Sequence, residues 1–329
     1  MKHIKTAVLL LNLGTPDMPT PRAIRRYLRE FLMDRRVVEI PQALWWFILN
    51  GIVLPLRCRP VAEKYHSIWL AQDSPLRFYT QQQADALQAG FAKLAHPVEV
   101  IAVMRYGNPS IKAAMQRIQQ QGIERIVLLP LYPQYSATTT ATACDAVFTE
   151  LQKMRNQPAI TTVKNFYQHP AYIQALCQQI TDYWQVVGDP DFSNGDKLLL
   201  SFHGLPHRCV TLGDPYYDEC VETVALVRQK LNLTDAQILF SFQSRFGPEK
   251  WLQPYTTDTL IQLGQSKTKR LDVFCPGFVS DCLETLEEIA IEGKAIFLDA
   301  GGQTYHAIPC LNQTKHWLEA LQTIVQEHL

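Results

Sequence analysis

The 329-residue sequence carries no excess charge: 31 Lys and Arg balance 31 Asp and Glu. Nucleic-acid binders need a basic surface that displaces counterions, so that class is excluded apart from a local basic patch. None of the eight cysteines (Cys58, Cys144, Cys177, Cys209, Cys220, Cys275, Cys282 and Cys310) forms a C-x-x-C pair. That excludes zinc-knuckle and dithiol redox motifs and points to free thiols in a reducing, cytoplasmic setting. The opening MKHIKTAVLLLNLG lacks the apolar length and small-residue cleavage site of a signal peptide. No apolar run is long enough to cross a bilayer. The most apolar stretch, Val37 to Leu56, is broken by Glu39, Pro41, Asn50, Gly51 and Pro55, and its cleaner part from Ala43 falls short of the roughly 20 residues a spanning helix needs. Neither Gly14-Thr15-Pro16 nor Gly301-Gly302-Gln303 makes a G-x-G-x-x-G fingerprint, and no Walker A motif exists, so a nucleotide partner has no support.

What is present is apolar mass. Hydrophobic residues make up 47% of the chain and charged residues 19%, enough to bury one or two full cores. At roughly 150 residues per domain, the length suggests about two domains. Short apolar runs at Thr6–Leu13, Val98–Met104 and Arg125–Leu131 predict buried parallel strands. Helical patterns at Pro21–Leu32, Thr80–Leu94 and Pro109–Gln121 separate or follow them. The second half repeats the rhythm, with strands at Lys197–Phe202, Gln237–Phe242 and Leu271–Cys275 and helices at Asp218–Leu231 and Ser280–Glu292. Strand–helix alternation of this kind predicts doubly wound α/β sheets with right-handed crossovers.

The halves also resemble each other. LLLNLGTP parallels LLLSFHGLP, VMRYGNP parallels FQSRFGP, and LPLYPQYSATTTATACDA parallels VFCPGFVSDCLETLEE. Each match falls at the carboxyl end of an expected strand, where open parallel sheets bind ligands. Gly14 and Arg105 are 91 residues apart, Gly204 and Arg245 only 41, so the first half carries an insertion that includes the apolar stretch. Within it, adjacent Trp45 and Trp46 cannot both face one core, because neighbouring helical positions point about 100° apart. The stretch reads as a buried helix or as an exposed apolar lip, and the pair favours partial exposure.

Chemistry-bearing residues follow the strands. Ser201-Phe202-His203-Gly204-Leu205-Pro206 displays His203 at a sharp exit, either as a satisfied structural residue or as a proton acceptor near neutral pH. Asp281, Glu284 and Glu288 share one helical face, either as a solvated acidic first turn or as a row of carboxylates for protons or a cation. Arg105 and Arg245, in matched loops, either clamp carboxylates or pin an interface. Tyr135 and Ser136 open a run of threonines that either receives an anion or caps a helix.

In these segments the sequence resembles the ferrochelatase family. The resemblance rests on LLLNLGTPD, FLMDRRVVEIP, SPLRFYT, VMRYGNPSI, YPQYSATTT, SFHGLPHR, GDPYYDEC, FQSRFGPEKWLQPYT and FVSDCLETLEEI, in family order over nearly the whole chain. It implies two Rossmann-like domains, each with a parallel sheet flanked by helices, around a cleft. The expected division is 1–170, with an inserted lip at about 37–80, and 171–329. The implied reaction is insertion of Fe2+ into protoporphyrin IX with release of two protons, the last step of haem synthesis. Coproporphyrin III or another divalent metal is the alternative.

The resemblance further implies that His203 accepts pyrrole protons, binds metal, or both, opposite Glu284, with Asp281 on the same acidic path. Arg105, Tyr106, Tyr135, Ser244 and Trp251 match positions that line or support the cleft. Leu13 matches a position that is apolar in protoporphyrin enzymes and typically tyrosine in the coproporphyrin type. Ser74 falls where the family has G-G-S-P, but the sequence here is Gln72-Asp73-Ser74-Pro75. Trp45, Trp46 and Phe47 of the lip are expected to grip the macrocycle, Arg57, Arg59 or Arg77 to hold its propionates, and the lip to touch membrane peripherally. Iron is a substrate, not a resident cofactor. No [2Fe–2S] cluster is expected, since only Cys310 lies in the last stretch and Ala137 stands where some members place a ligand cysteine.

Overall fold

The structure is a computed structural model that describes residues 5–92 and 98–329. The first four residues, and the last two of the helix expected to end at Leu94, lie outside the described residues. The chain divides into two compact units. The first comprises the chain up to Tyr132 with Ser136–Asn165 and Gln322–Leu329; the second comprises Pro133–Tyr135 and Phe166–Leu321. A single cut after residue 170 does not capture this division. In the second unit, Glu219 accepts from the Tyr135 backbone N–H at 2.6 Å. In the first, Arg125 donates to the carbonyls of His328 and Leu329 at 2.8 and 2.6 Å.

Each unit holds a four-stranded parallel sheet. In the first, β1 (Thr6–Thr15), β2 (Val98–Gly107), β3 (Arg125–Pro130) and β4 (Ala159–Thr162) are ordered β2-β1-β3-β4. In the second, β5 (Lys197–His203), β6 (Ile238–Gln243), β7 (Arg270–Phe274) and β8 (Thr304–Ala307) are ordered β6-β5-β7-β8. The same order appears twice, and the paralleled motifs fall at equivalent strand ends. The edge strands β4 and β8 are short and half-exposed, which is why no apolar run marks them.

Ala7 to Leu11 are fully buried in succession, as expected of a central strand covered on both faces. Leu9, Leu11, Val103 and Leu128 pack against Met115 and Ile118 of the helix Ile111–Gln121 and against Val147. In the second unit, Leu199, Leu271 and Val273 pack against Leu260, Ile289 and Phe297. Local signals set the helix starts. Thr20 caps Pro21–Leu32, Ser74 caps Pro75–Phe91 and Ser110 caps Ile111–Gln121, each accepting a backbone N–H through its side-chain oxygen. Gly14, at φ 116°, ends β1 where the Tyr106 carbonyl comes too close for any Cβ.

The inserted stretch folds as one helical run: Gln42–Ile48, a π-helical turn at Leu49–Val53, then Leu54–Ile68. Trp45 is buried, and its indole N–H donates to the Leu32 carbonyl at 2.7 Å. Trp46 is exposed and stacks edge-on with Phe47 at 5.1 Å. Leu44, Phe47, Ile52 and Leu56 are exposed as well, Leu56 to 71%. The tryptophan pair is therefore split between core and surface. No described helix is long and apolar enough to cross a membrane.

Candidate active site

The chemistry-bearing residues of the second unit gather at the carboxyl ends of β5 and β6. Register pairs His203 with Gln243. The Gly204 N–H donates to the Gln243 carbonyl at 2.8 Å, which locks the exit from β5 to the end of β6. A Cβ on Gly204 would lie 2.7 Å from that carbonyl oxygen and 3.2 Å from the Trp251 ring, so the close approach requires glycine. Tyr216 donates its hydroxyl to the His203 carbonyl at 3.0 Å, fixing the backbone from the other side.

The His203 ring is oriented as well. Its Nδ1 lies 2.7 Å from the Gly204 carbonyl. A carbonyl only accepts, so Nδ1 carries the proton and the neutral ring keeps its lone pair on Nε2. Phe278 lies beside the ring, with centroids 6.4 Å apart.

The carboxylates come from a π-helical segment, Glu284–Gly293. Such winding is rare beyond a single turn and clusters at functional sites. Glu284 and Glu288 are four residues apart, about one turn, and so share a face. Glu288 is the group that both other charges reach. Burial pushes its carboxyl above the usual carboxylate range; hydrogen bonds from Ser244 and the charge of His203 oppose that shift, and the charge of Glu284 adds to it. Ser244 donates its backbone N–H to Glu288 Oε1 at 2.7 Å and its hydroxyl to Oε2. Gln243 joins the same segment to the strands. Its amide N–H donates to the Glu284 carbonyl at 3.1 Å, and its oxygen accepts from the Ser201 hydroxyl at 2.7 Å.

Asp281 stands apart from this face. The helical winding begins at Leu283, so Asp281 lies in the preceding turn. Its carboxylate accepts from Thr285 at 2.9 Å, Asn312 at 2.6 Å and the Cys310 N–H at 3.3 Å. Both oxygens are thus engaged by protein donors, and the expected run of Asp281, Glu284 and Glu288 shortens to the last two.

Other expected site residues of the second unit are Tyr135 and Trp251, both half-buried. Trp251 packs on Gly204, and its indole N–H is buried without a hydrogen-bond partner.

The first unit holds the rest. Leu13 is half-buried near the end of β1, beside Asn12, whose side-chain oxygen accepts its N–H at 2.9 Å. Tyr106 is fully buried and bonds Asp34 at 2.9 Å, so it supports the sheet end and does not line a surface. Arg105 pairs with the same Asp34 carboxylate, donates to the Thr142 carbonyl at 3.0 Å and lies over the Tyr106 ring at 4.4 Å. Of the two roles expected for Arg105 and Tyr106, lining or support, these contacts are those of support: Asp34, unmarked by spacing in the sequence, draws both inward. Ser74 is buried as a helix cap. Arg77 forms a forked pair with Asp73, and its Nε–Oδ2 distance is 2.6 Å. Arg57 and Arg59 are exposed on the helix Leu54–Ile68. Ser136 accepts the Thr138 N–H at 3.1 Å, which makes it a cap.

A four-stranded parallel sheet used twice with the same strand order is a fold this chain shares with solved chelatase structures. The structure of SirB from Bacillus subtilis with Fe3+ matches with a TM-score of 0.59 at 12% identity, over 98% of this chain and 95% of that one. The sirohydrochlorin chelatase SirB from Bacillus subtilis subspecies spizizenii, in complex with cobalt, gives 0.54 at 13% identity over 98% and 95%. DR2241 from Deinococcus radiodurans, a multi-domain protein with structural similarity to chelatases, gives 0.54 at 12% identity over 99% of this chain and 56% of that one. At such identities the likeness is one of fold. The pattern that defines the ferrochelatase family matches residues 5–329, and the chain belongs to that family. Membership of that family makes it a metal chelatase of tetrapyrroles.

Proposed function

We propose that the protein inserts Fe2+ into protoporphyrin IX to give protohaem, releasing two protons. The observation that carries this reading is the oriented His203 ring, its Nδ1 held by the Gly204 carbonyl and its charge acting on Glu288, whose carboxyl the Ser244 donors hold.

A free porphyrin holds two inner N–H protons, and the metal must replace both. The lone pairs lie in the ring plane, so the macrocycle has to bend before metal enters. Contact along its apolar area offsets a distortion of a few kcal/mol. His203 takes a pyrrole proton on Nε2. The Glu284 and Glu288 carboxylates offer hard oxygens to Fe2+ or carry protons away. Among the described residues, no three His, Cys, Asp or Glu side chains close into a cation cage. An imidazole and a carboxylate that do not complete a shell suit a metal that must be handed on.

Leu13, and the exposed apolar side chains Trp46 and Phe47, favour the vinyl-bearing protoporphyrin over the more carboxylated coproporphyrin. Arg57 and Arg59 are assigned to the propionates. The same reading places the enzyme in the cytoplasm with the lip against a membrane surface, and it includes no resident cofactor.

The test is anaerobic metal insertion by the purified protein, with Fe2+, Co2+ and Zn2+ each offered protoporphyrin IX and coproporphyrin III. Fe2+ with protoporphyrin IX should give the highest kcat/KM. Preference for coproporphyrin III would move the substrate assignment, and binding without turnover would make the protein a carrier.

A further inference from the structure

We infer that Ser244 is a positioning residue that holds the Glu288 carboxylate toward His203, an inference that rests on the metal-insertion reading above. Ser244 sits at φ 65°, in the left-handed region that residues with a Cβ rarely occupy. In that conformation its backbone N–H and its hydroxyl point to the same partner. One donates to Glu288 Oε1 at 2.7 Å and the other to Oε2, so each carboxylate oxygen receives its own donor.

The residue before it removes the remaining freedom. Gln243 is buried, and it ties the Ser201 hydroxyl, two residues before His203, to the Glu284 carbonyl. The dipeptide therefore grips the first turn of the π-helical segment twice, by the backbone at Glu284 and by the side chain at Glu288. Strand β6 is paired in register with the strand that carries His203, so this grip sets the carboxylates relative to the imidazole.

A turn needed only for chain direction would be served better by glycine, which adopts positive φ without strain. Serine keeps the strain and adds the hydroxyl. A role confined to the fold and a role in holding Glu288 then predict different outcomes for the same substitutions. S244G removes strain and the hydroxyl together. S244A keeps the strain and removes the hydroxyl. S244T keeps the hydroxyl but adds β-branching at positive φ.

The experiment measures Zn2+ insertion into protoporphyrin IX by the full-length wild type and the three variants, with porphyrin affinity by fluorescence and melting temperature for each. S244G should melt closer to wild type than S244A does, because the strain it releases offsets part of the lost hydrogen bond, while kcat falls roughly ten- to a hundredfold, the weight of one hydrogen bond to a charged group, with porphyrin affinity unchanged. S244A should lose kcat similarly and melt lower than S244G. S244T should melt lowest and keep more of kcat than S244G; if it does not fold, the comparison of S244G with wild type decides alone. Wild-type kcat in S244G, or activity that follows melting temperature through the series, overturns the positioning role while leaving the chelatase reading intact. A wild type that inserts no metal overturns both.

Discussion

The side-chain amide of Gln243 bridges Ser201 and Glu284, accepting from the Ser201 hydroxyl at 2.7 Å and donating to the Glu284 carbonyl at 3.1 Å. One buried residue thus links the strand of the imidazole to the segment of the carboxylates. Gln243→Leu fills the same space without either hydrogen bond. It should cost about 1–3 kcal/mol of stability, the penalty of stranding buried polar groups, and should lower kcat with little change in porphyrin affinity. Denaturant unfolding and insertion kinetics check the two parts.

Gly204 faces the Gln243 carbonyl so closely that an added Cβ lies 2.7 Å from it. Gly204→Ala should destabilise the second unit by about 1–3 kcal/mol, as overpacking does. It should also displace the His203 ring and depress insertion. Unchanged unfolding midpoint and rate would mean that the loop yields freely.

The two lip tryptophans should behave oppositely. Trp45 is buried and bonded to the Leu32 carbonyl, so Trp45→Ala should cost about 3–5 kcal/mol. Trp46 is exposed, and Trp46→Ala should stay within about 0.5 kcal/mol of wild type. Its effect should appear instead as weaker porphyrin binding or weaker retention on phospholipid vesicles. If Trp46→Ala changes neither, the lip has no part in the ligand grip.

Asp34 predicts a pH dependence in the first unit. Burial opposes its ionisation, but hydrogen bonds from Thr142, the Arg36 N–H and Tyr106, with the Arg105 charge, outweigh burial and hold its carboxyl below the ordinary 3.8. A depressed carboxyl stabilises the fold fully above its unfolded value, and that contribution disappears as pH falls through the lower folded value. Asp34→Asn should lower stability at neutral pH by about 1–3 kcal/mol and flatten the acid limb of the unfolding midpoint against pH. An acid limb identical to wild type would remove Asp34 from the account.

Six strands and the helix Pro21–Leu32 were legible because apolar runs and caps act locally. The short edge strands β4 and β8 carry too few buried side chains to leave a pattern. The strand-end position of His203 is legible from its motif, and the split of the lip from adjacent tryptophans whose directions must diverge. Glu288 appeared only as one member of an acidic face; its contact with Ser244 depends on a left-handed backbone that composition does not reveal in a serine. α-Helical spacing puts Asp281 on the face of Glu284 and Glu288, but the winding begins only at Leu283, so that spacing does not reach back to Asp281. For Arg105 and Tyr106 the choice between lining and support is not legible in the sequence, because their partner Asp34 is more than 70 positions away.

The central claim is that His203 accepts a porphyrin proton. The most direct test is anaerobic Fe2+ insertion into protoporphyrin IX by His203→Ala, beside fluorescence binding of the free porphyrin. The account predicts a fall in kcat of roughly a hundred- to ten-thousandfold, the range for a lost general base, with porphyrin bound nearly as in wild type. Turnover within a few-fold of wild type in the folded variant would contradict it.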